Sequence, residues 1–522
     1  MSEKEVETIR NIDNLLTEAG VSEDSLPAVL TLFNTVMDIK ERSFAEMLKS
    51  LQETIKTLNT TIAELTEKVS RLEAKNNRNC SNSNKPSSWD HFSKPKPRPS
   101  STYAGDKKKL KSGGQVGHEG TTMKTNLYPD EVKPLYPEKC LCCSRFSECL
   151  EHAVRKSSRT VVDVEIRKVQ TEYSQMSICC PEDGTVLLGK YPSYVNSPVQ
   201  YGPNVNAIVT VLSSDGSMGM DRIGTFMETA FNLGMSDATV NNIICRASDR
   251  ARDLVERFKK SFSGVKVGHF DETGCRFNGK NGWLHLAASD SLSIFGFDRK
   301  RGVDGIKAVG IYDMMTSPSQ VVMTDFFKSY LTLDGEHPKR HAFCCAHLDR
   351  ELQNLIDNHG NPACARNMKK LFKDAYSTVC KLKAKGKTEA PEDVIDKFSE
   401  RYDRIVSVAL SKCPMPKRTG KRGRPPKGKV RALFERFRDF KDGILMFLTD
   451  FDVPFSNNKA ERCARSVKTK LKVSGCFRGE NGPHNYCIVK SVLETCRKQN
   501  LNQIEIFRSL FSGRDVSSKF AL

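Results

Sequence analysis

The sequence predicts a multidomain α+β protein, and three observations carry that prediction. Over residues 44–72 the apolar positions alternate at spacings of three and four, the signature of a long helix that pairs with another helix. Residues 265–330 read as three short strands in a meander, a helix and a fourth strand, with an aspartate closing the first and the fourth. A cationic helical stretch at 456–478 follows only after a long gap; 136 positions separate Asp325 from Glu461 (461 − 325). That gap exceeds what a bare α/β core needs, so a helical insertion is expected.

Composition bounds the class. A chain of 522 residues holds several domains with substantial cores. Lys and Arg number 82 against 63 Asp and Glu, a formal net charge of +19, which points to a polyanionic partner. No uninterrupted apolar run approaches the roughly 20 residues that span a bilayer, and the acidic N-terminus carries no signal-peptide core. The 18 cysteines are scattered through a large chain, which argues against a disulfide scaffold. The expectation is a cytoplasmic protein associated with the nucleoid or genomic DNA.

Residues 1–75 are expected to form a helical arm. Leu48, Ile55, Ile62 and Val69 fall at heptad position a; Phe44, Leu51, Leu58, Leu65 and Leu72 fall at d. Branched residues at a with leucine at d favour a parallel two-stranded coiled coil, and hence a homodimer or higher oligomer. The alternative is packing against the protein's own core, for which a stripe two-sevenths wide is narrow. Residues 76–125 then turn basic and Pro/Ser-rich, with Lys94, Lys96 and Arg98 alternating with prolines, and are expected to be a linker able to neutralise phosphates. The Gly-rich run at 113–120 lacks a preceding strand and is not a nucleotide loop.

Residues 126–195 are expected to form a small zinc module. Cys140 and Cys143 have zinc-knuckle spacing, and Cys180 follows about forty residues later. The second knuckle is incomplete, because Asp183 stands three positions after Cys180; Cys149 with His152 is a local alternative, and reduced structural thiols are the competing explanation. In residues 196–262, Ala230, Gly234, Ser236, Val240 and Ile243 have helix-turn-helix spacing: a small residue at the crossing, a left-handed turn, a cap and two residues packing back. Residues 237–246 are then the candidate recognition helix, with Asn241 and Asn242 facing base edges, unless the pair is an ordinary helical hairpin.

The order of strands in 263–350 is that of an RNase H-like α/β core, in which the first and fourth strands are neighbours, so Asp271 and Asp325 converge. The segment 451–522 completes the core and brings Glu461 as a third carboxylate. Three carboxylates at one point repel one another unless cations intervene. Two hard divalent ions, Mg2+ or Mn2+, answer that and clamp the attacking and leaving oxygens of an in-line phosphoryl transfer. Asp271, Asp325 and Glu461 are therefore both the catalytic and the metal-ligating candidates. At helical spacing Arg465 and Lys468 share the face of Glu461 and, with Arg462 and Arg478, are candidate DNA-phosphate contacts. A capping box with Asn458 as N-cap and Glu461 reaching back to it is the alternative. His347 and Arg350, beside the core before the insertion at 351–450 departs, are further phosphate candidates. Within the insertion, Arg422 and Arg424 lie in a Gly-Arg-Pro run similar to an AT-hook, which enters the minor groove, or in a basic loop that touches phosphates only.

The set His269-Phe-Asp271-Glu272-Thr273, Thr324-Asp325, Cys345-Ala-His347 through Arg350-Glu351, and Val453-Pro-Phe-Ser-Asn457-Asn458-Lys-Ala-Glu461-Arg462 resembles the transposases of the insertion-sequence 66 family. So do Gly114-Gln-Val-Gly-His118-Glu-Gly120, Pro198-Val-Gln200-Tyr-Gly202-Pro203 and Lys472-Val-Ser474-Gly475-Cys-Phe-Arg478, and the likeness covers most of 80–510. The resemblance implies an RNase H-like DDE core, metal-dependent DNA cleavage and strand transfer, a preceding zinc module, and DNA ends and target DNA as partners, with accessory element-encoded proteins as further candidates. By motif, Asp271, Asp325 and Glu461 take the catalytic positions. The rivals are a DNA-binding regulator whose acids are structural, and a nuclease that cleaves without joining.

Overall fold

A computed structural model describes residues 3–22, 24–78, 82, 129–164, 166–336, 340–415 and 427–522. The arm is two helices, α1 (Glu3–Glu18) and α2 (Leu26–Asn76). The heptad stripe lies inside α2, whose 51 residues make a rod about 75 Å long at 1.5 Å per residue. Its a and d side chains are open: Ile55, Leu58 and Ile62 are each more than half exposed. The chain's own core therefore does not cover this stripe. Most of the basic linker lies outside the described residues.

Residues 129–195 hold little regular structure: two short helices, α3 (Glu138–Leu141) and α4 (Phe146–Leu150), and a hairpin of β1 (Ser177–Cys179) with β2 (Val186–Leu188). After it come α5 (Pro203–Ser214), α6 (Met220–Phe231) and α7 (Asp237–Phe262). Ser236 caps α7 by accepting from the Thr239 N–H, and Val240 and Ile243 are fully buried, as their spacing predicts. The turn differs from expectation: Asn232, with φ of 52°, is the left-handed residue, and Gly234 is not. Asparagine tolerates that conformation through local hydrogen bonding, so it ends α6 two residues earlier. A Cβ on Gly224 would stand 2.8 Å from the Met235 carbonyl oxygen, which makes Gly224 the position where the turn lies against α6.

The helical segment shares one core with the sheet that follows. Ala247, Ala251, Phe258 and Phe262 of α7 pack with Phe270, Ala287 and Ile294, and with Val489 and Leu493 of α16 (Gly482–Lys498). The sheet comprises β3 (Val267–Phe277), β4 (Lys280–Ala288), β5 (Ser293–Asp298), β6 (Val321–Thr324) and β7 (Arg340–Phe343), in the order β5-β4-β3-β6-β7. Its first three strands are antiparallel, and β6 and β7 join β3 in parallel, the arrangement expected of an RNase H-like core. Helices α8 (Val303–Val309) and α9 (Lys328–Glu336) make the two crossovers. The edge strand β5 is closed by α16: Ser491 and Thr495 hydroxyl oxygens accept from the backbone N–H groups of Phe295 and Ser293 at 2.9 and 3.1 Å.

One expected boundary moves. The first strand does not end at its acids; β3 runs on to Phe277 and pairs with β4 throughout. Asn278 and Gly279, both at positive φ, form a two-residue turn whose twist matches the strands, and Cys275 and Phe277 continue the buried alternation. Asp271 therefore sits within a strand.

The insertion is helical as expected: α10 (Cys345–Asn358), α11 (Ala363–Ala384), α12 (Glu392–Lys412), α13 (Lys429–Asp439) and α14 (Lys441–Thr449). Leu348, Leu352, Leu371, Phe372, Phe434 and Phe437 give it a core of its own. It returns directly onto the sheet at Gly443, where a Cβ would meet the His341 carbonyl oxygen at 2.3 Å. That contact seats α14 on β7 and delivers the chain to α15 (Asn458–Ser474), after which α16 and α17 (Gln503–Phe511) complete the fold.

Candidate active site

Two strands and one helix converge on the site. The parallel register pairs His269 with Met323; extended by two residues, it sets Asp271 opposite Asp325, just past the last paired residue of β6. Neighbouring strands are about 4.8 Å apart, so the two aspartates share the mouth where β3 and β6 separate. Helix α15 crosses the same face. Ala460, Cys463 and Val467 are buried against Cys275, Phe277, Leu284 and Leu286, and their 3.6-residue stripe fixes the roll of the helix. Glu461, one position round from that stripe, is left at the rim of the sheet beside the aspartates.

A buried asparagine locks this placement. Asn457, the N-cap residue of α15, turns its side chain away from its own helix. Its Oδ1 accepts from His269 Nδ1 at 2.9 Å, its Nδ2 donates to the Phe270 carbonyl oxygen at 2.7 Å, and its backbone N–H donates to Cys344 Sγ at 3.2 Å. Since the amide nitrogen is committed to a carbonyl, His269 must carry its proton on Nδ1. Burial drives the His269 pKa down to about 4, so the ring is neutral at physiological pH. The capping-box alternative fails here: Asn458 lies inside the helix, and Glu461 points elsewhere. Its Oε1 is 3.7 Å from His347 Nδ1 and 3.9 Å from Cys344 Sγ; its Oε2 is 3.8 Å from Arg350 and 3.6 Å from Arg465.

Electrostatics show the crowding directly. The Asp271 carboxyl is held well above the usual range, first by burial and then by Glu272, Asp325 and Glu461. Its side chain accepts from the Glu272 N–H at 2.9 Å, and among the described residues no cation is hydrogen-bonded to it, Lys468 acting on it only through space. Glu272 faces the opposite side of β3, where Arg301 donates to it at 2.7 Å and the Tyr330 hydroxyl at 3.1 Å. Burial still raises its pKa. Burial and the Arg350 cation lower the pKa of His347, while Glu461 and Asp325 oppose them.

The predicted cations are unevenly placed. Arg350 and Arg465 flank Glu461. Lys468 donates to the Gly274 carbonyl oxygen at 2.6 Å, one strand position from Thr273, and burial depresses its pKa. Arg462 is exposed on α15, and Arg478 is exposed 3.8 Å from Asp237 at the start of α7. Asn241 and Asn242 are exposed on the first turns of α7, away from its buried face. Arg422 and Arg424 lie outside the described residues.

The carboxylates fit hard cations. They supply oxygen donors, and the repulsion that raises Asp271 is what a divalent ion relieves. Among the described residues their oxygens do not form a set lying wholly within 4.8 Å of one another. Cys140, Cys143 and Cys180 bring no three ligand atoms within 4.8 Å among the described residues. Asp183, in the place of the missing cysteine, is instead a turn residue whose carboxylate accepts from the Thr185 N–H and hydroxyl.

Arg301, Tyr330, Asn457 and Cys344 were not among the site residues foreseen from sequence. Arg301 stands 29 positions from Glu272, and its guanidinium lies over the Trp283 and Phe327 rings at 4.7 and 4.2 Å; no local periodicity announces such a partner. Asn457 carried a signal, an asparagine directly before a helix start.

The sequence model described as the transposase IS66 family matches residues 198–485, over half of the chain, and that span contains Asp271, Asp325 and Glu461. The chain is also similar to the uncharacterized protein y4jO of Sinorhizobium fredii (strain NBRC 101917 / NGR234), at 26% identity over 164 residues. That match takes in 31% of this chain and 45% of the relative, less than half of its length.

Proposed function

We propose, since the chain belongs to the transposase IS66 family, that it binds the ends of its own mobile element and catalyses DNA strand cleavage and strand transfer through Asp271, Asp325 and Glu461. The observation that carries this reading is the Asp271 carboxyl, buried and crowded by Asp325 and Glu461. A purely structural acid would be paired, as Glu272 is.

The three carboxylates would hold two Mg2+ or Mn2+ ions, which when bound activate the attacking oxygen and stabilise the leaving one. The chain's own residues do the rest. Arg350 and Arg465, already beside Glu461, attract and orient the scissile phosphate. Each such contact is worth a few kcal/mol where water is scarce. Lys468, exposed on α15 and hydrogen-bonded to the Gly274 carbonyl of β3, adds positive charge along the same groove. His347, kept neutral by burial and Arg350, is free to accept a proton near the reacting phosphate. The exposed Arg462, Arg478, Asn241 and Asn242 extend this surface towards DNA flanking the cut. The α2 stripe pairs two protomers, and deleting residues 40–75 lowers the mass measured by light scattering to that of a single chain.

The test uses purified protein, labelled element-end DNA and Mg2+ or Mn2+. Wild type nicks and joins the ends, whereas Asp271→Asn and Glu461→Gln bind the same DNA and lose at least about 10³-fold in cleavage. Binding without nicking by wild type would favour a regulator. Nicking without joined product would favour a nuclease.

A further inference from the structure

We propose that Cys344, His347 and Glu461 form a second, softer metal site that takes a thiophilic divalent ion of the Zn2+ class. Their ligand atoms all lie within 4.8 Å of one another, the only such group of three among the described residues. The separations of 3.7 and 3.9 Å from Glu461 Oε1 are close to the edges of a tetrahedron with metal bonds of about 2.0–2.3 Å.

Each ligand is prepared in a way that a packing role does not explain. Cys344 is the N-cap residue of α10, a 14-residue helix whose N-terminal dipole favours a thiolate. Burial and Glu461 push the free Cys344 thiol up to about 12, so it is a thiol without metal; its sulfur receives the Asn457 N–H at 3.2 Å, with the His347 N–H also directed at it, and N–H donors of this kind stabilise a thiolate once a metal is bound. His347, three residues on, presents a buried Nδ1 that lacks a hydrogen-bond partner. Glu461 divides its two oxygens: Oε2 faces Arg350 and Arg465, while Oε1 faces the sulfur and the imidazole. Arg350 opposes a cation here, and the charges of one thiolate and one carboxylate offset it.

On binding, a sulfur–metal bond forms and the thiol proton of Cys344 leaves to solvent, with no change of oxidation state. Mg2+ does not favour a thiolate, so the two kinds of ion select different donors: Mg2+ the carboxylates, Zn2+ the Cys-His-Glu set. Glu461 belongs to both. A thiophilic ion at Cys344 and His347 therefore withdraws Glu461 from the hard-ion set and switches cleavage off. This competition, unlike the site itself, rests on the role given to Glu461 above.

The experiment titrates full-length, reduced, metal-stripped protein with Co2+ and follows thiolate-to-cobalt charge transfer and bound equivalents, with and without excess Mg2+. Wild type is compared with Cys344→Ser and His347→Gln, so that the cysteines at 140–180 cancel in the difference. The expected result is a charge-transfer component that wild type shows, that Cys344→Ser lacks, and that His347→Gln forms only with an affinity at least about 100-fold lower; Mg2+ displaces it in wild type. Identical stoichiometry and spectra in all three proteins would overturn the proposal. If Cys344→Ser does not fold, His347→Gln and Glu461→Gln supply the same difference. A component lost in the variants but indifferent to Mg2+ supports the soft site and overturns the sharing of Glu461.

Discussion

Asp271 and Glu272 are consecutive acids on one strand, the first half-buried and the second buried, yet the two faces of β3 treat them differently. On the α7 side, Glu272 meets Arg301 and the Tyr330 hydroxyl, and Arg301 is itself sandwiched between two aromatic rings. On the α15 side, Asp271 meets Asp325 and Glu461, accepts one hydrogen bond, from a backbone N–H, and has Lys468 near it but not bonded to it. A fold that needed both acids for stability would have given both a cation. The difference marks Glu272 as a brace that holds β3 in place and Asp271 as a group kept unsatisfied for something that binds.

The brace should be sensitive to truncation. Glu272→Ala leaves the Tyr330 hydroxyl buried without its acceptor and Arg301 without its partner. Arg301 is 43% exposed and rehydrates in part, so the loss is about 2 kcal/mol in urea unfolding. A variant as stable as wild type would erase the contrast between the faces.

Asp271 should behave in the opposite sense. Its pKa is raised, so the stability present below the ordinary aspartate value of 3.8 is lost as pH rises through the folded value. Asp271→Asn therefore stabilises metal-free protein at neutral pH, by about 1–2 kcal/mol in thermal unfolding. The gain shrinks as the pH falls through the folded value and disappears below 3.8, where Asp271 is protonated in both the folded and the unfolded state. Saturating Mn2+ should reverse the ranking, because only wild type retains the full set of ligands.

Much of this was legible in the sequence, and for reasons that can be named. The strand order and the pairing of Asp271 with Asp325 follow from alternation and from which strands an RNase H-like sheet places together. Asn278-Gly279 was a legible hairpin signal; without it the first strand was closed four residues early, and Asp271 was placed at its end. The insertion was legible only as a length, because the contact of Gly443 with β7 depends on packing between residues about a hundred positions apart. The Glu461 helix was legible as a charged face. Its competing capping role was settled only by the buried His269–Asn457 bond, which needs two segments 188 residues apart to meet. The cysteine spacing at 140–180 pointed to zinc, while among the described residues the group that brings three ligand atoms together is Cys344, His347 and Glu461.

The central claim is that Asp271, Asp325 and Glu461 act as one ligand set. Electron paramagnetic resonance counting of bound Mn2+ tests it most directly, on wild type and on Asp271→Asn, Asp325→Asn, Glu461→Gln and Glu272→Gln. The account predicts two Mn2+ ions in wild type and in Glu272→Gln, with at least one lost in each of the other three. Equal Mn2+ binding in all five proteins, or a loss confined to Glu272→Gln, would contradict it.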